Sequence, residues 1–166
     1  MKLTGYSYKI GDDINTDYII SGRYKFAISD MKELAKHIME DIDPTFYARL
    51  KPGASFLVAG KNFGMGSSRE QAPLVIKESG IIGVVAKSFA RIFYRNAINI
   101  GLPLIEANTD SIAENDQLEI ELEKGSLQNL TKNTKVQINP LPPVMVRLLS
   151  DGGLVQHFKK HGCIKL

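Results

Sequence analysis

Apolar and polar positions follow three patterns along the chain, and each predicts a different element. Residues 5–10, Gly-Tyr-Ser-Tyr-Lys-Ile, alternate and are rich in aromatic and β-branched types, which predicts a first strand ending in the turn chemistry of Gly11-Asp12-Asp13. Met31, Leu34, Ala35, Ile38 and Met39 recur at helical spacing and predict a surface helix over 29–41, with Ser29 or Asp30 as its N-cap. Residues 54–59 and 81–86 are short, nearly continuous apolar runs, as expected of strands buried on both faces.

Between those runs, a glycine-punctuated loop over 60–68 feeds a helix predicted for 69–79, which Gly80 stops. After residue 86, Ser88 is positioned to cap a helix reaching about residue 99, and residues 101–105 start another strand. This strand–helix alternation predicts parallel pairing with right-handed crossovers. The pattern changes at Asp116, where Leu118, Ile120 and Leu122 alternate with Glu119, Glu121 and Glu123. Residues 127–130 and 135–138 supply two further strands, so this region reads as a half-buried antiparallel meander. Helices over 140–149 and 154–161 close the chain, separated by Gly152-Gly153.

At 166 residues, 43% hydrophobic and 23% charged, the chain has the size and composition of one folded domain spanning 1–166. Its longest apolar runs fall far short of the ~20 residues that cross a bilayer. Lys2, Lys9, Asp12, Asp13 and Asp17 interrupt the first twenty residues, so no secretory leader is expected and the expected location is the cytoplasm. The net charge is only +3 and the basic residues are scattered, which argues against a nucleic-acid partner and remains compatible with a small anionic substrate. Cys163 is the only cysteine, so this chain has no intrachain disulfide and cannot alone hold a cluster that needs three thiolates.

The strongest local signal is Gly64-Met65-Gly66-Ser67-Ser68-Arg69-Glu70. Gly64 and Gly66 permit a tight turn and close backbone approach, Ser67 and Ser68 offer hydroxyls, and Arg69 can grip a carboxylate with two parallel hydrogen bonds. The following helix end attracts anions. Ser67 with Glu70, or Ser68 with Gln71, equally fits a helix capping box, and both readings stand at this point.

Arg91 and Arg95 share a helix face, either as a solvated stripe or as part of a site where two loops converge at strand ends. The acidic loop Gly11-Asp12-Asp13-Ile14-Asn15-Thr16-Asp17 lacks calcium-loop spacing and reads as Asx turns. His157, His161 and Cys163 lack an evident fourth ligand and read as a solvated helix end, so no metal ligands are assigned.

Taken together, the segments 11–17, 60–70 and 86–101 resemble, in the same order, the small subunits of the aconitase-type isomerases, among them those of the 3-isopropylmalate dehydratases. The resemblance implies an α/β fold like the swivelling fourth domain of aconitase, with β/β/α layers and a mostly parallel central sheet. It implies a hydro-lyase subunit that works with a large subunit carrying a four-iron, four-sulfur cluster, while this chain binds no cofactor itself. The implied reaction is dehydration and rehydration of a hydroxy diacid, isopropylmalate first, homoaconitate or a related diacid as the alternative. A non-catalytic anion-binding or assembly module is the alternative of a different class.

By the same resemblance, Ser67 is the proton-abstracting base, and Ser68 and Arg69 steady carboxylate or oxyanion charge. Gly64 and Gly66 present backbone to the substrate. Arg23, Tyr24 and Lys25 face its variable end; if extended, Tyr24, Phe26 and Ile28 form an apolar face opposite a cationic one. The implied assembly is a heterodimer or heterotetramer with the large subunit, with self-association open to the isolated chain.

Overall fold

The computed structural model describes residues 1–164. Seven strands form one mixed sheet in the order β4-β3-β2-β1-β5-β6-β7. The parallel half is β1 (Lys2–Lys9), β2 (Ser55–Val58), β3 (Ile81–Ala86) and β4 (Leu104–Glu106). The antiparallel half is β5 (Gln117–Glu121), β6 (Ser126–Asn129) and β7 (Thr134–Gln137), joined to the parallel half through β1 against β5.

Side-chain alternation assigns the two faces of this sheet to two cores. Leu57, Val84 and Ala86 point into a core shared with the helical residues Leu34, Phe46, Val75, Ile76 and Phe93. Phe56, Val58 and Val85 point the other way and pack with Leu118, Ile120 and Leu127 of the meander and with Val146 and Leu149. Residues from both halves of one sheet meet in this second core, so the sheet curls over itself and the two β layers are continuous. Helices cover the opposite face. The parallel strands therefore carry apolar residues at successive positions, whereas β5 buries Leu118 and Ile120 and leaves Glu119 and Glu121 half-exposed.

The helices are α1 (Thr16–Ile19), α2 (Gly22–Lys25), α3 (Met31–Ala35), α4 (Phe46–Arg49), α5 (Gln71–Glu78), α6 (Arg91–Asn99), α7 (Pro143–Ser150) and α8 (Leu154–His161). Asp30 caps α3 by accepting hydrogen bonds from the Lys32 and Glu33 N–H groups. That helix is shorter than its apolar spacing predicts. Met39 adopts a φ of 55° and its N–H bonds to the Ile19 carbonyl at 3.0 Å, diverting the chain into turns while Ile38 and Met39 stay buried. Pro73 lies in the first turn of α5, where no intrahelical N–H is required, and Ala72, Val75 and Ile76 form the buried stripe of that helix. Among the described residues, no helix is long and apolar enough to cross a membrane.

Candidate active site

Three loops leave the C-terminal ends of β1, β2 and β3 and run on together beyond the sheet. Gly60 N–H donates to the Gly11 carbonyl at 3.1 Å, Asp13 N–H to Lys61 at 2.9 Å and Gly64 N–H to Ile14 at 2.8 Å. On the other side, Phe63 N–H donates to the Ser88 carbonyl at 3.0 Å and Ala90 N–H to Phe63 at 2.9 Å. Parallel bridges pair Asn15 with Met65 and Phe63 with Phe89. The first three strands thus have a hydrogen-bonded extension that holds the loops in register.

The glycine-rich loop turns sharply within this extension. Gly64 has a φ of +80°, and a Cβ there would fall 2.3 Å from the Phe93 ring, so that ring occupies the space a side chain would need. Gly66, at φ +94°, makes the second turn. Ser67, Ser68 and Arg69 follow and form one wall of a cavity of about 350 Å³ together with Thr16, while Arg91, Phe93 and Asn96 of α6 contribute to the other. Both serines are exposed. Both Arg91 and Arg95 are exposed, as a solvated stripe requires, but the two strand-end loops do meet at this cavity, which Arg91 lines and Arg95 does not.

Neither serine caps the helix. The N-cap of α5 is Glu70, which makes no side-chain capping bond, so the capping-box expectation is corrected. Ser67 is instead tied to the first loop: Thr16 Oγ1 donates to the Ser67 carbonyl at 2.9 Å and lies 3.4 Å from Ser67 Oγ. Ser88 also differs from its expected role. Its hydroxyl accepts from the Asn62 N–H at 2.8 Å, and Ala90 is the N-cap of α6.

Arg69 is partly buried and already engaged. One guanidinium nitrogen forms an ion pair with the Asp17 carboxylate and the other donates to the Ile20 carbonyl at 3.1 Å. Asn15 fixes this segment by accepting from the Asp17 and Tyr18 N–H groups at 2.7 and 3.2 Å, which starts α1. The Asx turn expected in the acidic loop is therefore present, and it delivers two residues that sequence reasoning missed, Thr16 to Ser67 and Asp17 to Arg69.

Arg23, Tyr24 and Lys25 are not extended. They form the single turn of α2, so the two-faced strand expected for residues 23–28 is corrected, and none of the three lines the 350 Å³ cavity. Tyr24 stacks on His37 with ring centroids 3.9 Å apart and donates its hydroxyl hydrogen to Glu40 at 2.7 Å, which holds the tyrosine hydroxyl above its ordinary pKa and contributes to lowering that of Glu40. Arg23 pairs with Asp41, and the Lys25 ammonium lies over the Phe26 ring. Gly22 connects the turn to the site: a Cβ added there would lie 3.7 Å from the Arg69 guanidinium.

The C-terminal histidines also depart from expectation. His157 is fully buried, not solvated, and both it and His161 face Asp151. A thiolate-bound cluster finds no ligand set here, since the one cysteine of the sequence, Cys163, is exposed and a cluster needs three or four.

The model of the aconitase C-terminal domain matches residues 25–109. A 3-isopropylmalate dehydratase small subunit 2 from Archaeoglobus fulgidus is 57% identical over 166 residues, covering 100% of both chains. A methanogen homoaconitase small subunit from Methanothermobacter thermautotrophicus is 46% identical over 158 residues, 95% of this chain and 91% of its own. The crystal structure of a 3-isopropylmalate dehydratase from Methanocaldococcus jannaschii has a TM-score of 0.91 at 48% identity, covering 98% of this chain and 96% of that one. With near-complete coverage in each direction, the chain belongs to the aconitase C-terminal domain family, in its branch of 3-isopropylmalate dehydratase small subunits.

Proposed function

We propose that this chain is the small subunit of a 3-isopropylmalate dehydratase, a hydro-lyase that interconverts 2- and 3-isopropylmalate in leucine biosynthesis. In this reading it acts as one domain in the cytoplasm, docked on a large subunit that carries the iron–sulfur cluster, as a heterodimer or heterotetramer. The observation that carries the reading is the cavity lined by Ser67, Ser68 and Arg69, with both serines exposed and neither used as a helix cap.

In the proposed chemistry, Ser67 Oγ takes the carbon-bound proton of the substrate, the freed electron pair forms the double bond, and the hydroxyl leaves the neighbouring carbon as hydroxide to the cluster of the large subunit. Water adding back to the other carbon, with the proton returned by Ser67, completes the isomerisation. A serine hydroxyl is a weak base, so the alkoxide form needs stabilisation by nearby positive charge and loop N–H groups. Arg69 supplies the charge, and its Asp17 partner keeps the guanidinium in a defined orientation. Ser68 steadies substrate carboxylate or oxyanion charge, and Gly64 and Gly66 let the backbone approach. Arg23, Tyr24 and Lys25 follow Gly22 in α2 outside the cavity of this chain and, in this reading, select the variable end of the substrate in the assembled enzyme.

The test is Ser67→Ala in the purified complex. Turnover should fall by at least ~10²-fold, the scale of a lost general base, with assembly intact; near-normal turnover would sink the proposal. Homoaconitate is the second substrate reading, favoured by the cationic Lys25 on α2. Parallel rates on isopropylmalate and homoaconitate separate the two.

A further inference from the structure

The turn between α7 and α8 gathers three donor atoms at a distance from the serine cavity. Asp151 follows α7 as its C-cap, and Gly152-Gly153 reverses the chain into α8, where His157 and His161 stand one helical turn apart on the same face. His157 Nδ1 lies 2.8 Å from Asp151 Oδ2, and His161 Nε2 lies 2.9 Å from that same oxygen. All three ligand atoms fall within 4.8 Å of one another.

We propose that Asp151, His157 and His161 form a binding site for one Zn²⁺ or a similar borderline divalent ion. Two imidazoles and one carboxylate at a single point are the donor types such ions prefer. Zinc–ligand bonds of about 2.0–2.2 Å set neighbouring donors roughly 3.3 Å apart in a tetrahedron, so entry of the ion requires the carboxylate to withdraw from each ring by about half an ångström and the two ring nitrogens, now within 4.8 Å of each other, to settle at that same spacing. Each imidazole binds through the nitrogen that now faces Asp151 and carries its hydrogen on the other ring nitrogen.

The surroundings support a bound ion. Lys160 donates to Asp151 Oδ1 at 2.5 Å, the outer hydrogen bond that a ligating carboxylate ordinarily has, and the metal would take Oδ2 in place of the two imidazole contacts it now makes. His157 is held within the packed interior, whereas the His161 side chain is 23% exposed and borders a cavity of about 430 Å³, which provides an entry path and room for water as a further ligand. Cys163 is exposed and is not among the converging donors. The ion would fasten the C-terminal half of α8 to the end of α7 and owes nothing to the chemistry proposed for Ser67.

The full chain, stripped with a chelator, is titrated with Co²⁺ and with Zn²⁺. One equivalent should bind, Co²⁺ should develop the intense visible absorption of a four- or five-coordinate site, and Zn²⁺ should raise the melting temperature. His161→Ala and Asp151→Asn, each checked for native circular dichroism, should weaken binding at least ~10-fold and abolish the thermal shift, while Cys163→Ser should leave both unchanged. A pale six-coordinate cobalt spectrum, wild-type affinity in His161→Ala, or loss of binding in Cys163→Ser would each overturn the assignment.

Discussion

Thr16 Oγ1 donates to the Ser67 carbonyl at 2.9 Å and sits 3.4 Å from the Ser67 hydroxyl, so a buried threonine from the loop after β1 sets the position of the candidate base on the loop after β2. Thr16→Val keeps the shape and removes the donor. Stability should fall by about 1–2 kcal/mol, as for a lost buried hydrogen bond, and turnover of the assembled enzyme should fall roughly 10- to 100-fold as Ser67 loses its alignment. Thr16→Ser should recover most of both, measured by denaturant unfolding and steady-state rates.

The Asp17–Arg69 pair should separate activity from stability. The Asp17 side chain is 57% exposed, so the pair adds at most about 1 kcal/mol to folding. Asp17→Asn leaves the guanidinium charged but no longer directed by an anion. The expected result is a midpoint of unfolding close to wild type and a tenfold or greater loss of turnover, equivalent to about 1.4 kcal/mol of barrier.

Gly64→Ala should fail for a different reason. The new methyl would fall 2.3 Å from the Phe93 ring, on a backbone held at φ +80°. Strain and overpacking together should cost about 2 kcal/mol or more, read as a shift of the urea midpoint at constant slope.

Asp116 should contribute to acid sensitivity. Burial alone would raise its carboxyl, but hydrogen bonds from the Ala113 N–H at 2.8 Å, from Asn129 at 2.7 Å and from Lys132 outweigh burial and hold it below the ordinary range. The unfolded carboxyl titrates near ~4, so this stabilisation is complete above that pH and is lost as the pH falls through the lower folded value. Asp116→Asn should therefore destabilise the chain more at pH 7 than at pH 3. Equal losses at both pH values would contradict the assignment.

The contrast between elements that were legible in sequence and those that were not follows from how local their causes are. Strands β2 and β3, buried on both faces, and β5, buried on one, announce themselves by apolar pattern alone. The Gly64–Arg69 loop is likewise readable because glycines, hydroxyls and a guanidinium are adjacent in the chain. Thr16 and Asp17 look in sequence like ordinary turn residues, since their partners Ser67 and Arg69 come from another strand's loop. α2 hides for a related reason: alternating apolar and basic residues suit a strand, but Tyr24 is recruited by His37 and Glu40 into a helical turn. His157 looks solvated until the packing of α8 buries it, a tertiary effect that helix periodicity does not record.

The bridges Asn15–Met65 and Phe63–Phe89 lock the serine loop to both neighbouring loops. Ser67 consequently has little freedom to adapt by itself to an incoming substrate, and in the proposed assembly fine adjustment falls to the angle at which the whole chain seats against its companion. Substitutions along that seam, far from any reacting atom, would then register as changes in rate with binding of the companion preserved.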